Sequence, residues 1–191
     1  MTLSILIFFA LLLGVVLWGV LLYNQLIILK NSASKAWSNI DILLKQRNEE
    51  LPKLVAVCRE HIQYEQTTLE RVMEARNRIA SAIQNDDMNA LNMAEDQLRI
   101  GLGNLFAVAE DYPELKASKS FLQLQSRITL LEDSIADRRE FYNDAATINN
   151  IRIEQFPDLI IAKMFSFRAF RLMSFNATEK QDVNVSELFN S

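Results

Sequence analysis

From Leu3 to Leu22 the chain reads LSILIFFALLLGVVLWGVLL, twenty residues without a charged side chain. As a helix this run rises about 30 Å, the thickness of a bilayer's hydrocarbon core, and a helix satisfies its own backbone polar groups there. The stretch predicts a transmembrane helix. A secretory signal peptide would carry a basic n-region, a shorter apolar run of about 7–15 residues and a small-x-small cleavage site, and the stretch has none of these. Trp18 and Tyr23 stand near one end, where amphipathic rings favour the interface. No lysine or arginine precedes the run, whereas Lys30, Lys35, Lys45 and Arg47 follow it, so the positive-inside bias predicts N-out, C-in.

The rest of the chain must then fold beside a membrane. Of 191 residues half are hydrophobic, enough for a sizeable core, but only four are Gly and three Pro, too little turn chemistry for a many-stranded sheet. The fold class predicted is all-α: one N-terminal transmembrane helix followed by an elongated antiparallel bundle of three to four long helices. Trp37, Ile40, Leu44, Leu51, Leu54, Cys58, Ile62, Leu69, Val72, Ile79 and Ile83 keep three-and-four spacing, which predicts one long first helix reaching about Ile83. Pro52 lies inside it and should kink or locally unwind it. Asn85 or Asp86 is the expected N-cap of a second helix, where Gly101 and Gly103 should admit a close neighbour. A third helix is expected to start near Pro113 and to run past Ala145, and a fourth to span 158–175. The expected division is an anchor at 1–23, a bundle at 24–175 and a polar, flexible tail at 176–191.

Few residues invite a chemical reading. The net charge of −4 and the pI near 5.1 oppose nucleic-acid binding, which needs a basic face. One His and one Cys cannot build a Cys/His zinc site. A di-iron bundle needs Glu-x-x-His pairs, and Cys58 stands three residues before His61. Cys58 lies on the apolar stripe, as a buried small hydrophobe does. No phosphate-cradling glycine loop, nucleophile elbow or H-E-x-x-H is present. Asp137, Arg138 and Arg139 could face Glu70, Glu74 and Glu110, but a solvated face with local pairs explains them more simply. No catalytic residue, cofactor or metal is expected.

Several stretches, taken in order, resemble the LemA family of bacterial membrane proteins. They are Tyr23-Asn24, AWSNID (36–41), ELPKLV (50–55), TLERVMEAR (68–76), LFAVAEDYPELKA (105–117), FLQLQ (121–125), IADRREFYN (135–143) and Phe156-Pro157. The resemblance covers roughly residues 3–170. It implies a single N-terminal anchor, an extended helical bundle and no settled enzymatic activity, with Trp37, Asn39, Pro52, Tyr112, Pro113, Tyr142, Asn143 and Pro157 as structural positions. Trp37 and Ile40 are expected in the core, Asn39 and Asp41 bonded to neighbouring helices. The chain departs from the family at Ile148-Asn149, where a second Tyr-Asn pair is usual, and at SFRAFRLMSF (166–175), where the family is rich in Gly and Pro.

The stretch 158–175 is very apolar, yet it carries Lys163, Arg168 and Arg171. Lys163, Phe167, Arg168, Phe170 and Arg171 are therefore candidate contacts to lipid or to a partner. The plainer alternative is that the stretch covers the open end of the bundle, its basic side chains reaching out to water. The expectation is a non-enzymatic interaction or scaffold protein of the bacterial inner membrane, held by 3–22, with its bundle in the cytoplasm. Its partners would be itself or other membrane proteins, and not nucleic acid. The alternative is a lipid-binding or membrane-remodelling protein that uses 158–175.

Overall fold

A computed structural model describes residues 2–62 and 64–174, so the expected tail at 176–191 lies outside the described residues. Among those described there is no strand, and six helices follow one another: α1 (Thr2–His61), α2 (Gln66–Gln84), α3 (Met88–Ala109), α4 (Pro113–Lys116), α5 (Lys119–Glu154) and α6 (Asp158–Met164). The all-α expectation holds. The chain forms two compact units, one of Met1–Glu50 with Gln123–Leu172, the other centred on Leu51–Leu122.

In the first unit α1 and α5 pair antiparallel. Rising numbers on α1 meet falling numbers on α5: Gln25 with Arg152, Trp37 with Tyr142, Arg47 with Glu132, Glu50 with Arg127. Leu26, Ala33, Ile40 and Leu44 bury the α1 stripe, and Ile128, Leu131, Ile135, Tyr142, Ala146 and Ile153 bury that of α5. Both sets recur at helical spacing, as an apolar stripe requires. No described residue before Leu22 is buried, so among the described residues nothing covers the apolar run from Leu3 to Leu21. α6 closes this unit, where Ala162 packs with Leu26 and Ile153.

In the second unit α2 packs against α3. Leu69, Val72, Ala75, Ile79 and Ala82 on α2 are buried, as are Leu91, Ala94, Leu98, Gly101, Leu102 and Leu105 on α3. The joint is a Schellman turn. Asp86 takes a positive φ of 52°, its N–H donates to Ile83 O at 3.2 Å, and Asp87 N–H donates to Ala82 O at 3.0 Å. Asp86 is thus the left-handed residue that ends α2. The N-cap of α3 is Asp87, not Asn85 or Asp86, and its carboxylate accepts from the N–H groups of Asn89 and Ala90.

Other boundaries also move. α1 ends at His61 and does not continue to Ile83, and Tyr64 beyond its end is exposed. α1 carries Pro52 without local unwinding, although the boundary between the two units falls at Glu50–Leu51, just ahead of it. The expected third helix is split: Pro113 opens the short α4, and α5 starts at Lys119 with Phe121 N–H donating to Ser118 Oγ. The expected helix at 158–175 stops at Met164. Ser166 takes a positive φ of 55°, and Ser166 and Phe167 donate to Lys163 O and Ala162 O, a second Schellman turn that directs the chain into extended backbone.

The two helical glycines of α3 separate on substitution. A Cβ on Gly101 would lie 3.3 Å from Val72 Cγ2, whereas one on Gly103 would meet nothing within 4 Å. Only Gly101 therefore serves close helix approach. Gly103→Ala is expected to stabilise the full-length protein by about 0.8–1 kcal/mol through helix propensity, while Gly101→Leu costs about 1–3 kcal/mol by overpacking against α2. Thermal unfolding in detergent, followed by circular dichroism, reads both.

Candidate functional site

Three places hold polar chemistry. The first joins α1 to α5. Arg47 is 1% exposed and donates to Glu132 Oε1 at 2.6 Å, while on the next turn Glu50 accepts from Arg127 at 3.0 Å. The polarity reverses between the two pairs. A slip of register in one direction would bring Arg47 towards Arg127, and in the other would bring Glu50 towards Glu132, so the pairs favour one alignment of the helices, as opposed charges do in paired coils. Arg47 thus belongs to the packed interior and not to the exposed basic flank that follows the apolar run. Asp41 bonds Lys45 at 2.6 Å on its own helix, and Asn39 is exposed, so neither links to a neighbouring helix as expected. Trp37 is half-buried and stacks on buried Tyr142 at 5.5 Å.

The second place is the end of α1. Cys58 is fully buried, and burial pushes its thiol up to about 11. A buried thiol is a poor nucleophile because the reactive thiolate is disfavoured. Among the described residues no group of three or more His, Cys, Asp or Glu side chains could hold a metal ion. Iodoacetamide at pH 7.5 should leave Cys58 unmodified in the native protein and label it after denaturation. The sign of the pH dependence follows. The unfolded thiol ionises near 8.5 and the folded one near 11, so stability falls as pH rises through that window. Cys58→Ala removes this part of the decline, which alkaline denaturation of the two proteins would read.

The third place lies where α1 leaves the apolar run. Tyr23 stacks on Phe165 at 4.6 Å and meets Phe167 edge-on at 6.0 Å, and Lys30 Nζ stands 5.9 Å from the centre of the Phe167 ring. The segment after α6 is held by α5 through its backbone. Asn150 Nδ2 donates to Phe170 O and Phe170 N–H donates to Asn150 Oδ1, both at 2.8 Å, and Tyr142 Oη donates to Arg171 O at 2.7 Å. One asparagine thus does for Phe170 what a neighbouring strand would do. Behind the segment lies a cavity of about 450 Å³, lined by Tyr23, Ile27 and Lys30 and by Phe165 to Phe170. Lys30 and Arg168 are its cations, and among the described residues no carboxylate lines it.

Of the candidate contacts, Phe167, Arg168 and Phe170 therefore gather at this cavity, with Arg168 exposed and both rings half-buried. Lys163 is exposed in the last turn of α6, and Arg171 offers its carbonyl to Tyr142. Of the positions that the resemblance implies, Tyr112 is the N-cap of α4, Pro113 opens it, Pro157 follows a cis peptide bond and precedes α6, and Asn143 is half-buried on α5. Glu74 and Glu110 pair locally, with Arg78 and Lys116, and Arg138 lies over Phe141. Tyr23, Lys30 and Asn150 were not singled out from sequence as one site. Tyr23 carried a signal as an interfacial ring, but nothing in the pattern joins residue 30 to 167 or 150 to 170.

Two further cavities, of about 270 and 260 Å³, lie along α2 and α3. Arg78 lines both, and its charge is already met by Glu74 and Gln97.

Comparison with known proteins adds a family. The LemA family model matches residues 36–186. Protein LemA of Metamycoplasma hominis is 29% identical over 169 residues, which cover 87% of this chain and 75% of that protein. Magnetosome protein MamQ 2 of Paramagnetospirillum magneticum is 25% identical and magnetosome protein MamQ of Magnetospirillum gryphiswaldense 23%; in both cases the match covers 76% of this chain and 62% of the relative.

Proposed function

The chain belongs to the LemA family, and from that premise we propose that it is a membrane-anchored, non-enzymatic interaction or scaffold protein that acts on itself or on other membrane proteins. The observation that supports this most is the continuity of α1. Within the first unit it begins as a bare apolar rod and continues as the buried stripe of a packed pair. Among the described residues it is the one helix long and apolar enough to cross a membrane. Within that unit the anchor and the packed stripe are one element, so whatever docks there is held close to the bilayer. Relatives named for a cellular structure, the magnetosome, and not for a reaction support the non-enzymatic side of the reading.

In this reading the protein is a single-pass component of the bacterial inner membrane, oriented N-out and C-in, with Lys30 and Lys35 on the cytoplasmic side. In-cell crosslinking of the full-length protein, gentle solubilisation and mass spectrometry test it. Reproducible enrichment of another membrane protein, or of self-crosslinked oligomers, is the expected result; recovery of monomer alone at native expression would sink it.

A second reading, lipid binding by the stretch after Pro157, is favoured by one observation. Ile160, Met164, Phe165 and Leu172 are exposed there beside Lys163, Arg168 and Arg171. Large apolar side chains left bare beside cations suit an anionic interface.

A further inference from the structure

We infer that the cavity between Tyr23, Ile27 and Lys30 of α1 and the segment Phe165–Phe170 binds the headgroup of one anionic phospholipid. The inference deepens the lipid-binding reading and rests on residues 3–22 crossing a membrane.

Position comes first. Tyr23 is the residue after the twenty-residue apolar run, and Ile27 and Lys30 lie one and two turns further on. The polar layer of a bilayer adds roughly 5–8 Å on each side of the hydrocarbon, so Tyr23 falls at its inner edge and Ile27 within it. Side chains on a helix tilt towards its N-terminus, which directs the long Lys30 side chain back towards that layer. The cavity therefore opens where phosphates of the adjacent leaflet lie.

Chemistry comes second. A headgroup phosphate needs cations and hydrogen-bond donors; its acyl chains need an apolar path. Lys30 and Arg168 supply two cations, and among the described residues no lining carboxylate competes for them. Lys30 stands over the Phe167 ring, an arrangement that leaves its charge to attract an anion. The Tyr23, Phe165 and Phe167 rings form an apolar wall. Below it the uncovered surface of α1 before Leu22 continues directly into the hydrocarbon, a path for the chains. The volume of about 450 Å³ lies in the range of small-molecule sites.

The segment is also prepared in advance. Ser166 is held with φ of 55°, a conformation rare for a residue with a side chain, and the rings on either side of it in sequence, Phe165 and Phe167, both meet Tyr23. Asn150 and Tyr142 fix the backbone beyond it. Little ordering is left for the ligand to impose.

The test is native mass spectrometry of the full-length protein in detergent, titrated with phosphatidylglycerol, phosphatidylcholine and, separately, inorganic phosphate and glycerol phosphate. One phosphatidylglycerol should bind per chain, with phosphatidylcholine at least tenfold weaker. Lys30→Gln with Arg168→Gln should weaken phosphatidylglycerol at least tenfold. Lys35→Gln with Lys45→Gln removes the same charge from exposed positions outside the cavity and should leave binding within about twofold. Equal loss in both double variants, no loss in the first, or equal binding of the two lipids would overturn the site. Binding of free phosphate or glycerol phosphate as tight as that of the lipid would assign the cavity to a soluble anion and overturn the lipid. If the wild-type chain is absent from the membrane fraction, the anchor reading fails; if it stays there without selective lipid, only this site fails.

Discussion

Leu12→Arg combined with Leu13→Arg should move the protein out of carbonate-washed membranes, while either change alone should not. The expectation is arithmetical. Fifteen of the residues from Leu3 to Leu22 are Leu, Ile, Phe or Val, together worth about −5 to −9 kcal/mol on the insertion scale. One central arginine costs about 2.5–3.5 kcal/mol and removes a leucine worth about half a kcal/mol more, which leaves insertion favourable. Two such changes cost about 6–8 kcal/mol and cancel the driving force. The two positions are adjacent, so they point about 100° apart and do not share one water-filled defect. Because Leu12 and Leu13 are exposed and lie outside the buried core, their replacement reports on the membrane and not on folding. A double variant that stays in the washed pellet would show that attachment depends on something other than this helix.

Glu132→Ala should lower the unfolding free energy by about 2–4 kcal/mol, more than Arg47→Met does. Arg47 is 1% exposed while Glu132 retains 27% of its side-chain exposure. Removing the glutamate takes a close anion from a guanidinium that water cannot reach, and breaking a buried pair from one side costs about 3–5 kcal/mol, reduced here because Glu132 is partly wet. Removing the arginine and filling its volume with methionine leaves a carboxylate that can still be hydrated. Arg47→Met with Glu132→Leu should therefore recover most of the loss, since an apolar pair of similar volume often replaces a buried ion pair at little cost. Thermal or urea unfolding of the full-length variants decides this. Equal losses for Glu132→Ala and Arg47→Met would mean that the burial asymmetry does not govern the pair.

How much of this was legible in the sequence depends on the range of the physics involved. Where one local interaction dominates, the reading held. Twenty uncharged residues specify a membrane-length helix; the three-and-four spacing of Leu51, Leu54 and Cys58, and of Leu91, Ala94 and Leu98, specifies helices with buried stripes; Pro113 at a first turn specifies a helix start. Boundaries failed where neighbouring options differ by little. Asn85, Asp86 and Asp87 are all good caps, and the Schellman turn, which needs a left-handed residue at Asp86, left the cap to Asp87. The pattern after Pro157 looked helical because apolar residues are dense there, but density is not period, and the turn at Ser166 ends the helix.

The sequence by itself determined the apolar run, the helical class and the ordered family signature, because each rests on neighbours along the chain or on composition. Only the tertiary structure decided that Arg47 is an interior cation locked to Glu132, that Asn150 grips the backbone of Phe170, and that Lys30 and Arg168 share a cavity beside Tyr23. These contacts join residues 20 to about 140 positions apart. Such pairs carry no periodic trace, and the antiparallel register of α1 and α5 brings the more distant ones together only after the stripes have packed.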